Sequence, residues 1–529
     1  MVQVCIILKI MMKKINIIWG LLFALTFSAS GINTANAYPW VNNLRTQFIN
    51  NKTVIYAINI RTFGAEDKNG NDIIEPWLGD TPGTFVNAQN RLKDIVMAGA
   101  NTVYLLPITK TGKLKALGTS GSLYAMDSFN EISPQLDDKN DSRTVFAEAK
   151  SFVEEAHKKR LSVILDMPSC GSYDMSLEKP ELFIKDKHGN AVTPADWTDV
   201  RLFKATNEDG TLNQELLDNY KKFADMALAL GVDGIRADVA AIKPYEFWRD
   251  FINYVRKQDP QFMFLAEAST TWDNPAKDYV SYTSVEDLLK AGFDGYYSDW
   301  ANFRNVTKAK DFHKRIEADN KISKKFDGKK TTIASFATHD QQSPIITGGE
   351  DYWNMILWLN ATLPLNSYFL DGFVTGDTYS YKYENQKAEK TLTDDDQYFV
   401  HKGKMDIFNA SRRPQGEKTK LAEKYLMALK IKYWAKRMTT EGAYVPLNTG
   451  NPSVFAYART NEDEALVVIG NLDTKHGVET NVYIPRLKVN SFISPVTMIE
   501  APTVKKGKLA VVLQPYEIQV FMLNKVTIK

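Results

Sequence analysis

The 529-residue sequence predicts an α/β protein: a (β/α)8 TIM barrel with a small domain inserted after its third strand and a C-terminal antiparallel β-sandwich. Apolar strand-like runs alternate with amphipathic helical stretches over most of the chain, which is typical of a parallel sheet. Several runs end in a carboxylate, and a (β/α)8 barrel has its chemistry at the carboxyl ends of its strands. From about residue 439 short alternating strands follow, as in an antiparallel sandwich.

The predicted elements follow one another in barrel order. Apolar or alternating runs predict eight strands at Thr53–Ile60, Asn101–Ile108, Leu161–Asp166, Gly231–Asp238, Phe262–Glu267, Gly292–Tyr297, Thr331–Asp340 and Leu363–Phe369. Helical periodicity predicts helices at Phe85–Ala98, Val145–Lys159, Gln214–Leu230 and Lys418–Met438, with a further helix opening at Pro244. A long polar loop, 371–412, is predicted at the rim of the barrel.

The first 37 residues predict a signal peptide. Lys13 and Lys14 precede the apolar run 15–27, and Ala35-Asn36-Ala37 forms a cleavage pattern. We therefore expect an exported protein, periplasmic or secreted, from a bacterium. The remaining boundaries are predicted at 38–166 and 213–438 for the barrel, 167–212 for the inserted domain and 439–529 for the sandwich.

Charge and cysteine content narrow the classes of function. The chain has 65 Lys and Arg against 63 Asp and Glu, which argues against nucleic acid or an anionic membrane as the partner. No apolar stretch after the signal peptide is long enough to anchor the mature chain in a membrane. Cys170 is the only cysteine after residue 37, so an internal disulfide is excluded. The oligomeric state does not follow from the sequence.

Three predicted strands carry acids at their ends. Arg236 and Asp238 alternate on one strand and therefore share a face, where pairing keeps the aspartate ionised. Glu267 ends the next strand, and His339 and Asp340 end a later one. A catalytic site and a buried ion pair that only fixes packing are both compatible with Arg236 and Asp238 alone.

The order of these motifs resembles that of a known family. Gly234-Ile235-Arg236-Ala237-Asp238, Leu265-Ala266-Glu267-Ala268 and Phe336-Ala337-Thr338-His339-Asp340 resemble the strand-4, strand-5 and strand-7 signatures of the α-amylase family of glycoside hydrolases. The likeness extends from about Val54 to the C-terminus. It implies a retaining glycosidase that acts on α-glucans or maltooligosaccharides.

The resemblance also implies roles for individual residues. Asp238 would be the nucleophile, Glu267 the general acid and base, and Asp340 a ligand of the sugar hydroxyls. Sugar contacts are implied for four further residues, Arg236, His339, Tyr124 and Asp166. For His339 a core histidine bonded to backbone is the alternative. The other five histidines show no partner pattern, and no zinc site is predicted.

The chain departs from the family at two places. After Asp166, Cys170 and Gly171 replace an asparagine and a histidine of the third-strand motif, so we expect a different environment for the nearest sugar and a buried, inert thiol. After Asp238, Ala241 and Ile242 replace a lysine and histidine that touch the leaving-group sugar in many starch-degrading relatives.

The loop after the first strand suggests a structural Ca²⁺ ion. Its oxygen-bearing residues alternate, with a glycine for the turn, which suits a hard cation. The predicted ligands are Asp67, Asn69, Asn71, the Ile73 carbonyl and Glu75. A plain polar turn is the alternative. No organic cofactor is predicted.

The substrate follows only from the family resemblance, which implies α-glucosidic linkages, with α-1,4 linkages expected. The resemblance also implies cleavage through a covalent glycosyl-enzyme. Two alternatives stay open at this point. One is an α-glucan transglycosylase that uses the same carboxylates, and the other is a non-catalytic carbohydrate-binding relative.

Overall fold

The computed structural model describes residues 39–66, 68, 78–116, 122–194, 197–376, 419–485, 492–497, 502–524, 526 and 528. The chain divides into two units, Met1–Val41 and Asn42–Lys529. Of the first unit only residues 39–41 are described, and they are irregular. All elements below belong to the second unit.

Eight parallel strands form one sheet that closes on itself. Numbered along the chain together with two strands of the insertion, they are β1 (Val54–Ile58), β2 (Thr102–Leu105), β3 (Ser162–Met167), β4 (Cys170–Ser172), β5 (Val200–Leu202), β6 (Gly234–Ala237), β7 (Met263–Ala266), β8 (Gly295–Tyr296), β9 (Thr331–Thr332) and β10 (Ser367–Leu370). The sheet order is β10-β1-β2-β3-β6-β7-β8-β9, and a parallel bridge between Ile333 and Asn366 joins its ends. The predicted barrel is confirmed.

Helices surround this sheet. They are Leu44–Ile49, Ile60–Phe63, Phe85–Asn90, Leu92–Met97, Val145–Lys158, Gln214–Leu230, Tyr245–Arg256, Val285–Ala291, Ala309–Lys324, Pro344–Thr362, Thr419–Trp434 and Lys436–Thr439. The best-predicted helix, Gln214–Leu230, has sequence signals at both ends. The Asn213 side chain accepts a hydrogen bond from the Leu216 N–H, and Gly231 ends the helix with a φ of 86°. No helix among the described residues is long and apolar enough to cross a membrane.

Several sequence predictions of element length were too long, and two of them have a clear physical reason. The helix expected at 85–98 breaks at Arg91, whose guanidinium lies 4.0 Å from the Phe63 ring centroid and bonds Asp94 at 3.1 Å. The strand expected at 331–340 ends at Thr332, because the backbone turns tightly at Ser335 and its N–H bonds the Ile333 carbonyl. His339 and Asp340 therefore lie on a loop.

The insertion is small and directly follows β3. Its strands β4 and β5 pair antiparallel, and helix Tyr173–Glu178 lies between them. Phe183 and Phe203 pack on one another with centroids 4.8 Å apart, and Phe203 meets Tyr220 of helix Gln214–Leu230 at 5.9 Å. Aromatic packing therefore joins the insertion to the barrel.

The C-terminal part is a sandwich of two antiparallel sheets, as predicted. The strands are β11 (Ala443–Leu447), β12 (Val454–Asn461), β13 (Glu464–Asn471), β14 (Val478–Tyr483), β15 (Phe492–Pro495), β16 (Thr503–Lys505), β17 (Lys508–Leu513) and β18 (Ile518–Asn524). One sheet has the order β11-β12-β13-β18-β15 and the other β14-β17-β16. Val467 and Phe521 from the first sheet share a core with Val482 and Leu509 from the second.

Two buried cations lie where the sandwich meets the barrel. Arg459 on β12 is fully buried and donates to the carbonyls of Thr362 and Gly442, both at 2.8 Å. Lys432 of helix Thr419–Trp434 is 3% exposed, and its Nζ has no hydrogen-bond partner among the described residues. Burial and, to a smaller extent, the charge of Arg459 lower the pKa of Lys432 to about 7.

We predict that Lys432→Met stabilises the protein. Below pH 7 the ammonium is charged in both the folded and unfolded states, so the full cost of burying it applies there. The folded protein sheds that proton as the pH rises above 7, which relieves the cost. The gain in unfolding free energy should therefore be largest near pH 6, on the order of 1 kcal/mol or more, and smaller at pH 10. Thermal unfolding at pH 6, 8 and 10 measures it.

Lys424→Met on the same helix is the control, because Lys424 is 46% exposed and contacts only Glu350 at 3.6 Å among the described ion pairs. It should change the midpoint little at any of the three pH values. A Lys432→Met protein that is no more stable than wild type at pH 6 contradicts the prediction.

Candidate active site

The site is organised around Arg236, the inward-facing arginine of β6. Its guanidinium is fully buried. Nη1 donates to Asp166 at 2.8 Å and to Asp238 at 3.0 Å, and Nη2 lies 2.7 Å from Oε1 of Glu267. Nε donates to the Tyr297 hydroxyl at 3.2 Å. One cation thus contacts three carboxylates that come from three adjacent strands, β3, β6 and β7.

Asp238 follows β6 and is held through both carboxylate oxygens. Oδ1 accepts from Arg236, and Oδ2 accepts from the backbone N–H of Ser169 at 3.1 Å. The Ser169 hydroxyl donates to the backbone carbonyl of Asp238. The residue is 9% exposed. Its carboxylate is therefore fixed in direction and still reaches the surface of the site.

Glu267 follows β7 and is also 9% exposed. Its Oε2 accepts from the Val239 N–H at 2.8 Å, and Val239 adopts a left-handed conformation with φ of 33°. Burial raises the pKa of Glu267 well above its usual range; Arg236 lowers it, and Asp238 and Asp340 raise it further. A carboxyl group in this environment holds its proton at higher pH than an ordinary glutamate.

Tyr124, His339 and Asp340 lie on the other side of the cluster. The Tyr124 hydroxyl lies 2.7 Å from His339 Nε2 and donates to Asp166 at 2.8 Å. The rings of Tyr124 and His339 stack with centroids 5.6 Å apart. Asp340 Oδ2 is 3.4 Å from His339 Nε2, and its side chain, at 34% exposure, is the most open of the four acids.

The structure therefore brings together every residue of the predicted catalytic and sugar-binding set. Asp166 is fully buried, and its oxygens accept from Arg236, Tyr104 and Tyr124. Burial raises the pKa of Asp166 to about 6, although Arg236 lowers it. Because Asp166 and Arg236 are both inaccessible, they lie behind the carboxylates that reach the surface. Direct sugar contact by these two residues stays a prediction.

The metal prediction is not covered by the described residues. Asp67, Asn69, Asn71, Ile73 and Glu75 all lie outside them, as does residue range 1–37 with the predicted signal peptide. Among the residues that are described, no group of three or more His, Cys, Asp or Glu side chains could hold a metal ion. Most of the predicted rim loop, 377–412, also lies outside the described part of the chain.

Neighbouring side chains fill the space around the two substituted positions after β3, Cys170 and Gly171. Cys170 is 2% exposed, so the predicted burial of its thiol is confirmed, and burial raises the pKa of that thiol to about 12. At Gly171 an added Cβ would lie 2.6 Å from the Phe183 ring and 2.7 Å from the Phe203 ring. The missing histidine therefore leaves no open space there, since two aromatic rings occupy the direction that a side chain would take.

Sequence patterns missed four residues that contact the carboxylate network: Tyr104, Ser169, Tyr297 and Lys243. Tyr104 and Tyr297 were detectable in principle, because each places a hydroxyl on or next to an apolar barrel strand. Lys243 donates to the Ser169 carbonyl at 2.8 Å, across 74 residues of sequence. Because the two residues are far apart in the sequence, no local sequence pattern indicates this contact.

A cavity of about 870 Å³ lies between the insertion and the loop that follows β7, and none of the candidate site residues lines it. Ile242, Tyr245, Tyr279 and Tyr282 contribute to its walls. Burial raises the pKa of Tyr282, and the negative charge of Glu267 raises it further. The cavity is large enough for small organic ligands.

Comparison with known proteins agrees with this architecture. Residues 444–520 match the family model of the maltogenic amylase C-terminal domain. An α-1,4-glucan:maltose-1-phosphate maltosyltransferase from Mycolicibacterium smegmatis is 28% identical over 258 residues, which are 45% of this chain and 33% of that protein. An α-amylase from Lactobacillus plantarum has a TM-score of 0.63 and 20% identity over 90% of this chain and 99% of its own. The C-terminal domain and the fold of this chain are therefore similar to those of α-amylase family proteins.

A second solved structure gives the same result for the fold. A maltogenic α-amylase from Thermotoga neapolitana has a TM-score of 0.61 and 19% identity, over 90% of this chain and 99% of its own. The matched part of this chain spans about a third of the length of the maltosyltransferases. The comparisons therefore show a shared architecture, and the activity of this chain has to be argued from its own residues.

We predict that Gly171→Ala lowers the thermal midpoint, because the new methyl group must displace the Phe183 and Phe203 rings. Overpacking of this kind costs about 1–3 kcal/mol. Adding Phe183→Leu should restore part of the loss. Gly477→Ala is the control, since the nearest atom to its added Cβ is 3.1 Å away. A Gly171→Ala midpoint no lower than that of Gly477→Ala contradicts the prediction.

Proposed function

We propose that this protein is a retaining glycoside hydrolase that cleaves α-1,4-glucosidic linkages in glucans or maltooligosaccharides. The observation that carries the proposal is the shared contact of one buried guanidinium, Arg236, with the carboxylates of Asp238 and Glu267. Retention requires a nucleophilic carboxylate and a second carboxyl group that first gives and then takes a proton. The two acids have different surroundings suited to these two tasks.

In the first step Asp238 attacks the anomeric carbon. The glycosidic carbon–oxygen bond breaks, and Glu267 transfers its proton to the departing oxygen. The raised pKa of Glu267 supports this role, because the acid has to be protonated when substrate binds. Asp238 is held by Arg236 and Ser169 and needs no reorientation to act as the nucleophile.

In the second step Glu267 removes a proton from water. The resulting hydroxide attacks the anomeric carbon, and the bond between the sugar and Asp238 breaks, which restores both carboxyl groups to their initial states. Asp340 and His339, on the open side of the cluster, would hold sugar hydroxyls and favour the charged, planar transition state. Tyr124 would offer its ring to the sugar next to the cleaved bond.

A transglycosylase is the second candidate. In that reaction a sugar hydroxyl replaces water in the second step, and the same carboxylates serve both outcomes. The maltosyltransferase relatives favour it, as does the apolar side chain of Ile242, which lines the cavity between the insertion and the loop after β7. A non-catalytic carbohydrate-binding role has less support, since Asp238, Glu267 and Asp340 are all present and adjacent.

We predict that Asp238→Asn and Glu267→Gln each lower turnover of maltotriose by at least about 10⁴-fold. The first change removes the nucleophile and the second removes the proton donor, while both preserve side-chain shape. Chromatography of the products measures the rate, and circular dichroism establishes that each variant is folded. Near-normal turnover by either folded variant removes the assignment.

The wild-type products of the same assay distinguish the two candidates. Only glucose and maltose indicate hydrolysis, whereas oligosaccharides longer than maltotriose indicate transfer. Lys424→Met serves as the matched surface control, because its exposed side chain is remote in sequence from all three acids. It should keep wild-type turnover and the wild-type product pattern.

We also propose that residues 67–75 bind a structural Ca²⁺ ion, on the basis of their alternating oxygen-bearing side chains. Removal of calcium should then lower the thermal midpoint, because a ligand that binds only the folded state stabilises it. The measurement is thermal unfolding in a calcium chelator, with and without added Ca²⁺. The double variant Asp67→Ala, Asn69→Ala should lose the response. A midpoint that is the same in chelator and in Ca²⁺ contradicts the proposal.

A further inference from the structure

A buried lysine lies directly behind the candidate nucleophile. Lys243 follows the short 3-10 helix Ala240–Ile242, which itself follows Asp238, and the residue is 2% exposed. Its Nζ donates to the Ser169 carbonyl at 2.8 Å. Its backbone carbonyl accepts from the Thr283 hydroxyl at 2.7 Å. The side chain therefore spans the distance between the turn after β6 and the turn after β3.

Aromatic rings enclose this ammonium group. Nζ lies 5.0 Å from the Tyr220 ring centroid, 5.9 Å from that of Phe247 and 6.0 Å from that of Phe203. The negative faces of aromatic rings attract a cation. The titratable groups that act on its charge are Asp238 and the Cys170 thiol. Lys243 makes no ion pair at contact distance among the described residues.

The turn that Lys243 holds is the one that orients the nucleophile. The N–H of Ser169 donates to Oδ2 of Asp238. The carbonyl of that same peptide unit, contributed by Pro168, accepts from the Tyr220 hydroxyl at 2.8 Å. Lys243 donates to the next carbonyl along the chain, that of Ser169. Side-chain hydrogen bonds therefore hold two consecutive peptide units on the side away from Asp238. Hydrogen bonds in such a series polarise and strengthen one another.

We propose that Lys243 is a positioning residue for the nucleophile: its ammonium group locks the Ser169 turn against Asp238 and supplies a positive charge behind that carboxylate. The inference rests on the proposed function, since it takes Asp238 as the group that bonds the sugar. The charge matters most in the second step, when Asp238 leaves the sugar as an anion. Hydrolysis of the glycosyl-enzyme should therefore depend on it.

The position also predicts a pH dependence. Burial lowers the pKa of Lys243 to about 8, against smaller opposing effects of Cys170 and Asp238. Above pH 8 the ammonium loses its proton, so the positive charge behind Asp238 disappears and turnover falls. α-Maltosyl fluoride is a suitable substrate for this measurement. Fluoride departs without a proton, and the requirement for protonated Glu267 therefore does not add a second alkaline limb.

The experiment compares wild type with Lys243→Met, a variant of similar length that has no charge or donor. We expect kcat for α-maltosyl fluoride to fall on the order of 10-fold or more, with a smaller change in KM. We also expect the decline of kcat around pH 8 to disappear. Lys243→Arg, which stays charged at every pH used, should recover part of kcat and likewise show no decline at pH 8.

Lys432→Met is the matched control, because it removes another buried ammonium that has no contact with the carboxylate cluster. It should keep both kcat and the decline near pH 8. A Lys243→Met protein that keeps the wild-type kcat and pH profile overturns the proposal. So does a Lys243→Arg protein that retains the decline.

A separate readout distinguishes failure of this inference from failure of the proposed function. If wild type cleaves neither maltotriose nor α-maltosyl fluoride, the proposed function fails. The thermal midpoints of wild type and Lys243→Met from pH 6 to pH 10 still test the buried ammonium. Burying the charged ammonium destabilises wild type below pH 8, and this cost is relieved above pH 8 as the folded protein loses the proton. The midpoint of Lys243→Met relative to wild type should therefore fall as the pH rises. A midpoint difference between the two proteins that does not change with pH contradicts a buried, charged ammonium at Lys243.

Discussion

A single buried guanidinium is the constraint on which the site depends. Asp166, Asp238 and Glu267 lie at the ends of three adjacent strands, and like charges packed this closely in a buried setting repel one another. Arg236 contacts all three and offsets part of that repulsion. Its fork of donors also fixes their directions. A lysine could match the charge but could not hold three carboxylates in a fixed plane.

The arrangement also explains why two similar acids differ. Both Asp238 and Glu267 are 9% exposed and both contact Arg236. The Asp238 carboxylate also accepts one backbone N–H, from Ser169 in the turn after β3, and Lys243 and Tyr220 hold that turn. The Glu267 carboxylate accepts one backbone N–H, from Val239, which has a left-handed conformation. The negative charges of Asp238 and Asp340 act on it as well. Burial, together with the charges of Asp238 and Asp340, therefore raises the pKa of Glu267, which suits it to hold a proton.

The acids and Arg236 were predictable because each belongs to a short motif at a strand end, and parallel strands bring such ends to one rim. Helix Gln214–Leu230 was predictable because its cap residues are local. The break at Arg91 was not, since a ring elsewhere in the sequence competes for that side chain. Lys243 and Ser169 were missed for the same reason: their roles arise from contacts between segments that are 74 residues apart. Tertiary contacts override local pattern at these places.

The linkage between β3 and β4 has a mechanical consequence. Only Pro168 and Ser169 separate the two strands, and both carbonyls are fastened to side chains of the barrel. The insertion therefore cannot swing as a lid without twisting the segment that grips Asp238. Changes in cleft width during ligand entry must come from loops farther along the chain, while this wall stays rigid. Engineering for bulkier ligands would accordingly do better to shorten the outer loops than to loosen the insertion at its root.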